Sequence, residues 1–380
     1  MSDRRDDLPG QSSGPQHGTR RRLWWPWILI PAFVVVGVGG GLIGAAVASP
    51  NSTTGSTATV NAGANSESSC AVTTVADDVL PSVVTISASG QGGAGTGSGE
   101  VIKSDGYILT NNHVIAIAAD GGKVEVMFAT GTTVPATIVG RDVLTDLAVL
   151  KVTPPKDQKV IAMGSSASLR VGQPVVALGA PLGLSGTVTS GIVSALDRTV
   201  EVPAENDSSA LLVSAVQTDA SINPGNSGGA LVNCSGQLVG VPSAGATVPN
   251  PEGGSSAGSV GLGFAIPVDL ASTIANEIIS TGRVTHAYFG LQSVPIPPAA
   301  AQEAGISEGL FVAGTVPNGP SAQAGLRQGD VITKVDGEPA TSNVQLQELT
   351  ITKSPGDKVA IDYERDGKTA STTVTLGTQP

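Results

Sequence analysis

The sequence predicts a mainly β chain of barrel type behind an N-terminal apolar segment. Three observations predict it. Short alternating or apolar runs, each bounded by turn residues, recur from residue 83 onward. Fifty glycines and 25 prolines in 380 residues favour many short strands over long helices. A single long uncharged run precedes all of this, at residues 23–48.

Residues 1–22 carry five arginines against three aspartates and read as a charged tail. Residues 23–48 exceed the about 20 apolar residues that span a bilayer. Trp24, Trp25 and Trp27 sit at the start of this run, where an aromatic belt meets headgroups. Arg20, Arg21 and Arg22 come directly before it, so the positive-inside rule keeps the N-terminus cytoplasmic and exports the rest. A cleavable signal peptide ending at Ala46-Val47-Ala48 is the competing reading. Its apolar core would be longer than the usual roughly 7–15 residues, which favours a retained transmembrane anchor. Residues 49–73 are rich in Ser, Thr, Asn, Gly and Ala, lack apolar periodicity and read as a flexible linker.

The next domain is expected over residues 74–282. Strands are predicted at 83–87, 124–128, 136–139, 147–152, 174–178, 191–196, 211–217, 230–233, 237–241 and 261–266. So many strands without alternating helices favour a pair of barrels over an α/β sheet. One helix is predicted, from Val268, Ala271, Ile274, Ala275, Ile278 and Ile279 at helical spacing, with Gly282 as its stop. A second, smaller domain is expected over 283–380.

The net charge of −11 argues against nucleic acid as a partner, since phosphate contacts need a basic surface. Cys70 and Cys234 both fall outside the membrane on this topology, so a disulfide is permitted; two free thiols are the other reading. No Cys/His cluster supplies four zinc ligands. The glycine run at 90–99 lacks the Lys-Ser/Thr ending of a phosphate loop. No metal and no cofactor is expected.

Chemistry is concentrated in three segments. Asn223-Pro224-Gly225-Asn226-Ser227-Gly228-Gly229 puts a serine on a glycine-flanked turn whose amides are free to converge. Alone it also reads as a plain surface turn. A serine nucleophile needs a base beside it and donors for the developing oxyanion. Of the three histidines, His17 lies in the tail and His113 ends the strand-like Tyr107-Ile108-Leu109, which makes it the candidate base. Asp146 precedes the apolar run Leu147–Val152 and suits an imidazole-orienting carboxylate, with Asp142 as competitor. The chain order His113, Asp146, Ser227 is the chymotrypsin order.

These segments resemble the HtrA (high-temperature-requirement, DegP-type) family of serine proteases. The resemblance runs over roughly residues 75–380. It rests on Gly97-Ser98-Gly99, Thr110-Asn111-Asn112-His113-Val114, Asp146-Leu147-Ala148-Val149-Leu150, Gln217-Thr218-Asp219-Ala220, Gly225-Asn226-Ser227-Gly228-Gly229 and Gly261-Leu262-Gly263-Phe264-Ala265-Ile266-Pro267. Tyr288-Phe289-Gly290-Leu291 and Gly319–Ile332 resemble one PDZ domain of the same type. The resemblance implies a chymotrypsin-like double β-barrel protease domain followed by an α+β PDZ domain. It implies His113 as general base, Asp146 as its orienter and Ser227 as nucleophile, with an oxyanion hole at Gly225, Asn226 and Ser227. It implies a substrate pocket at Ile222, Val241, Ser243 and Gly245, and peptide binding at Tyr288, Phe289, Gly290 and Leu291. It further implies a homotrimer acting outside the cytoplasm on misfolded or exported proteins, without a cofactor. A PDZ-bearing binding or chaperone-like protein with an idle protease domain is the alternative. Two residues depart from the family pattern: Pro242 where asparagine is common, and Glu100 where an apolar residue is usual.

Overall fold

The computed structural model describes residues 70–180, 186–205, 208–245 and 259–379. The expected tail, the anchor at 23–48 and residues 49–69 of the expected linker lie outside the described residues. Among the described residues, no helix is long and apolar enough to cross a membrane.

Regular structure among the described residues begins before the expected boundary at residue 74. Helix α1 (Val72–Val79) buries Val75, Ala76 and Val79 against apolar residues of the second barrel, including Val176, Val232 and Leu238. Cys70 is joined to Cys234 in a disulfide just ahead of it. The last residues of the expected linker are therefore part of the fold, because helical spacing of Val72, Val75 and Val79 gives them an apolar face to bury.

The first barrel is closed, in the order β1 (Val83–Gly90), β2 (Gly93–Lys103), β3 (Tyr107–Thr110), β6 (Leu147–Lys151), β5 (Thr133–Asp142) and β4 (Lys123–Met127). Strand β2 was not anticipated, since glycine is a poor strand former. Its glycines answer to close packing. A Cβ at Gly97 would stand 2.5 Å from Val114 and 3.2 Å from the Ser227 carbonyl oxygen.

The second sheet runs β11 (Ala230–Asn233), β8 (Pro174–Gly179), β9 (Thr187–Pro203), β10 (Ser209–Thr218), β13 (Gly263–Pro267), β12 (Gln237–Gly245) and β7 (Ala162–Met163). Strand β11 also pairs with β12, which closes six of these strands into a second barrel. Gly261-Leu262-Gly263-Phe264 runs into its strand β13, and helix α2 (Val268–Thr281) follows, ended by Gly282 at φ 78°.

Period-2 alternation places the strand residues in two cores at once. On β3 and β6, Ile108 and Leu150 fill the first barrel, whereas Leu109, Leu147 and Val149 face the seam with β10, β12 and α2. Each such fully buried Leu or Ile side chain contributes about 1.5–3 kcal/mol.

The C-terminal domain has a sheet ordered β15 (Leu291–Ile296), β16 (Gly309–Thr315), β17 (Val331–Val335), β19 (Lys358–Arg365) and β20 (Lys368–Thr375), with β18 (Glu338–Pro339) beside β17. A short pair, β14 (Ala287–Tyr288) with β21 (Gly377–Thr378), ties its ends together. Helix α3 (Asn343–Thr352) is apolar on two sides. Leu346 and Leu349 enter the domain's own core, while Val344 and Ile351 pack on Leu211, Val213 and Leu270 of the second barrel region.

Glu100 is fully buried, with both carboxyl oxygens unpartnered among the described residues. Its cross-strand partners are Val83 and Leu109, whose side chains belong to the apolar seam between the barrels. Burial pushes its carboxyl well above the ordinary range, offset only in part by the nearness of its own backbone amide. The folded state thus binds a proton that the unfolded chain releases above about pH 4.3. Stability therefore falls as pH rises from there toward the raised folded value. Glu100→Leu is expected to raise the unfolding free energy by about 1–3 kcal/mol and to flatten that pH dependence. Urea denaturation of both proteins at pH 4.5 and 7.5 checks this.

Candidate active site

Strands β5 and β6 are joined by the turn 143–146, which Asp142 and Leu147 close as a cross-strand pair. Asp146 ends the turn at φ 57°, a left-handed conformation that aspartate tolerates better than most residues. Its carbonyl accepts the Asn111 Nδ2 (2.9 Å) and the Asn112 amide (3.1 Å). Its Oδ1 accepts the His113 amide at 3.0 Å. The loop leaving β3 is thus wrapped around Asp146, and the imidazole comes with it. His113 Nδ1–H donates to both Asp146 oxygens, at 2.9 and 3.1 Å. The His113 side chain is 40% exposed and that of Asp146 4%, so one face of the ring stays open to solvent. Asp142, the competitor, is turned away from His113; it bonds Thr145 and His286 instead.

Ser227 arrives from the second barrel. Asn223-Pro224-Gly225-Asn226 forms a turn closed by the Asn226 amide on the Asn223 carbonyl, 2.9 Å. Proline at its second position and Gly225 at φ 101° in its third are the residues of a type II turn. The amides of Gly225 and Ser227 find no backbone acceptor among the described residues, so both remain available. Asn226 is buried and its Nδ2 donates to the Ser221 carbonyl at 3.2 Å, which braces the loop from inside. Ser227 Oγ donates to the Ser243 carbonyl at 3.4 Å and makes no hydrogen bond to His113.

Ser98 fixes this loop to the first barrel. Its amide donates to the Ser227 carbonyl (2.9 Å), its Oγ donates to the Gly225 carbonyl, and the same Oγ accepts the Ala180 amide (2.8 Å).

The expected pocket residues separate. Ser243 turns its hydroxyl onto Asp146 Oδ2, because a register shift between Pro242 and Ala244 redirects the strand. It is a carboxylate partner that sequence reasoning had placed in a pocket wall. Val241 is fully buried in the seam core, and Ile222 packs inside the second barrel with Val193 and Val216. Ser243 and Gly245 line a cleft of about 440 Å³ together with His113, Asp146, Val202, Pro203 and Phe264. Among the described residues, no group of His, Cys, Asp or Glu is placed to hold a metal ion.

Tyr288, Phe289, Gly290 and Leu291 stand together at the edge of the C-terminal domain's sheet. Phe289 is core, Gly290 adopts φ 67°, and Leu291 opens the edge strand β15. The amides of Phe289 and Gly290 lack backbone acceptors among the described residues, while the Phe289 carbonyl accepts the Ser321 amide and hydroxyl.

Residues 97–241 match the trypsin-like peptidase domain and residues 288–376 the PDZ domain. Serine protease PepD of Mycobacterium tuberculosis is 44% identical over 310 residues, 80% of this chain and 65% of that protein. The HtrA-type protease AlgW, solved with a decapeptide, superposes with a TM-score of 0.64 at 31% identity, over 81% of this chain and 99% of AlgW. This chain belongs to the HtrA family. A probable periplasmic serine endoprotease, DegP-like, of Brucella suis is 40% identical over 75% of this chain and 53% of its own length. This HtrA-type chain thus spans just under two thirds of PepD and about half of the DegP-like protein.

Ser98→Ala is expected to lower the unfolding free energy by about 1 kcal/mol, because it strands the half-buried Ala180 amide and Gly225 carbonyl. Chemical denaturation measures the loss directly.

Proposed function

We propose that this chain is a serine endopeptidase acting by acyl transfer, with His113, Asp146 and Ser227 as its triad. One observation carries the reading: a buried carboxylate holds an open imidazole by Nδ1, and Ser243 links that carboxylate to Ser227, whose turn leaves two amides without backbone acceptors. The Ser227 hydroxyl rotates from the Ser243 carbonyl toward His113 Nε2 and attacks the scissile carbonyl carbon as the imidazole takes its proton. The oxyanion accepts hydrogen bonds from the Gly225 and Ser227 amides. Collapse expels the amine, which receives the proton from His113, and water then hydrolyses the acyl-enzyme by the same route. Asp146 holds the ring and stabilises its cationic form, and Ser243 holds Asp146.

The substrates are misfolded or exported proteins, in keeping with the periplasmic endoproteases named among its relatives. The cleft at Ser243 and Gly245 accepts substrate backbone, with a modest aliphatic side chain before the cut. The uncharged run 23–48 anchors the chain in the membrane, the N-terminus stays cytoplasmic and both folded domains lie outside; a homotrimer is the expected assembly. The alternative, a PDZ-bearing binding protein with an idle protease domain, draws on one observation, the Ser227 hydroxyl resting on Ser243 instead of His113. A serine-directed fluorophosphonate separates the two, since an idle site leaves Ser227 unlabelled.

Ser227→Ala is expected to remove casein hydrolysis while leaving the fold intact, and His113→Ala to be nearly as severe. Residual kcat above about a thousandth of wild type would overturn the nucleophile assignment.

Tyr288-Phe289-Gly290-Leu291 receives the C-terminal carboxylate of apolar-ended peptides, with the peptide backbone adding to the free edge of β15. Micromolar affinity, about −8 kcal/mol, is expected by calorimetry. Equal binding of free-acid and amidated peptides would remove this assignment.

A further inference from the structure

His286 has no part in the chemistry above, yet it is 6% exposed at the junction of the two folded domains. It lies between α2 and β14. Its Nε2–H donates to Asp142 Oδ1 at 2.9 Å, and both side chains are buried. Asp142 in turn braces the turn that ends at Asp146: its Oδ1 accepts the Leu144 amide at 3.3 Å and its Oδ2 accepts the Thr145 hydroxyl. On its other side His286 is held by the C-terminal domain. Its carbonyl accepts the Gln379 amide at 3.0 Å, and the backbone of Thr350, on α3, lies against the ring. Helix α3 also packs Val344 and Ile351 on Leu211 and Val213, and the Leu211 amide donates to the Leu144 carbonyl at 2.8 Å. Two routes therefore run from the C-terminal domain into one four-residue turn.

We infer that His286 is a positioning residue for Asp146, acting through Asp142, so that both the docking of the C-terminal domain and the charge on one imidazole are felt at the carboxylate holding His113. This rests on the triad reading given above.

The charged groups facing His286 are Asp142, at the end of β5, and Glu277, on α2, whose Oε1 accepts the Thr285 amide at 2.8 Å; α3 presents only backbone there, among the described residues. Burial alone would push the His286 imidazolium down. The hydrogen bond and charge of Asp142, aided by Glu277 and Thr350, outweigh it and hold the group above its ordinary range. A histidine raised in this way contributes stability that is complete below the unfolded value, about 6.5, and is lost as pH climbs through the folded value. The turn is therefore held most firmly below about pH 6.5 and loosened as pH rises through the raised folded value.

The test uses the full-length chain in detergent, with His286→Gln, Asp142→Asn and the double variant, and their melting temperatures confirm folding. The rate of fluorophosphonate labelling at Ser227 is followed from pH 5.5 to 9.5. Wild type is expected to show an alkaline fall; both single variants lack that fall and label about five-fold or more slowly at neutral pH. The double variant is expected to be no slower than either single one, because the residues act in series. Wild-type-like profiles in the single variants, or additive losses in the double, would overturn the inference. Hydrogen exchange over residues 142–147 is read on the same samples, corrected for the intrinsic effect of pH. Exchange that rises in alkali for wild type and is high throughout for His286→Gln supports the inference, and unchanged exchange overturns it. If wild type takes no label at any pH, the endopeptidase reading falls, while the exchange result still decides the role of His286.

Discussion

The seam between the two barrels is the constraint on which everything else rests. His113 and Asp146 come from one barrel and Ser227 from the other, so their separation is set by how two independent sheets are fastened. Ser98 does the fastening with three hydrogen bonds to Ser227, Gly225 and Ala180. These bonds need backbones closer than side chains allow. Gly97, Gly228 and Gly229 supply that approach: a Cβ at Gly228 would stand 2.4 Å from the Ser98 carbonyl oxygen, and one at Gly229 the same distance from that of Leu178. Glycine here serves contact between layers more than freedom of the chain.

The apolar seam is also what makes Glu100 conspicuous. Its neighbours on the same face, Val83 and Leu109, are ordinary core residues. A carboxyl placed among them is pushed toward its protonated form, since an isolated buried charge costs far more than holding a proton. Helix α3 works by a related economy of faces. Four apolar side chains split between two directions join its own domain to the second barrel.

Legibility in the sequence followed how local each requirement is. The Asn223–Gly229 turn and the His113 strand end are short segments whose chemistry dictates neighbouring residues, so they stood out. Apolar runs such as Leu147–Leu150 announced their strands for the same reason. Strand β2 did not, because its glycines answer to Val114 and Ser227, which are remote in sequence. Helix α1 escaped notice because eight residues seldom hold a helix without tertiary packing. Ser243 lines the cleft as expected of a pocket residue, but its bond to Asp146 is not legible, because a register shift invisible in the pattern turns its hydroxyl there. His286 meets Asp142 across 144 positions, and nothing near either residue signals the other.

The bond between Cys70 and Cys234 encloses 164 positions of chain, including both His113 and Ser227. In the loop-entropy picture, a ring of that size disfavours the unfolded ensemble by on the order of 5 kcal/mol. Its topological effect is separate from its energy. A single backbone cut anywhere inside the ring yields two pieces that remain one molecule, so a nick within the first barrel releases nothing until a reductant opens the ring. Tension on the segment preceding Cys70 likewise passes through sulfur into the end of β11, sparing α1 from being peeled away. The fold is thereby hooped against backbone cleavage and moored at a point beyond α1.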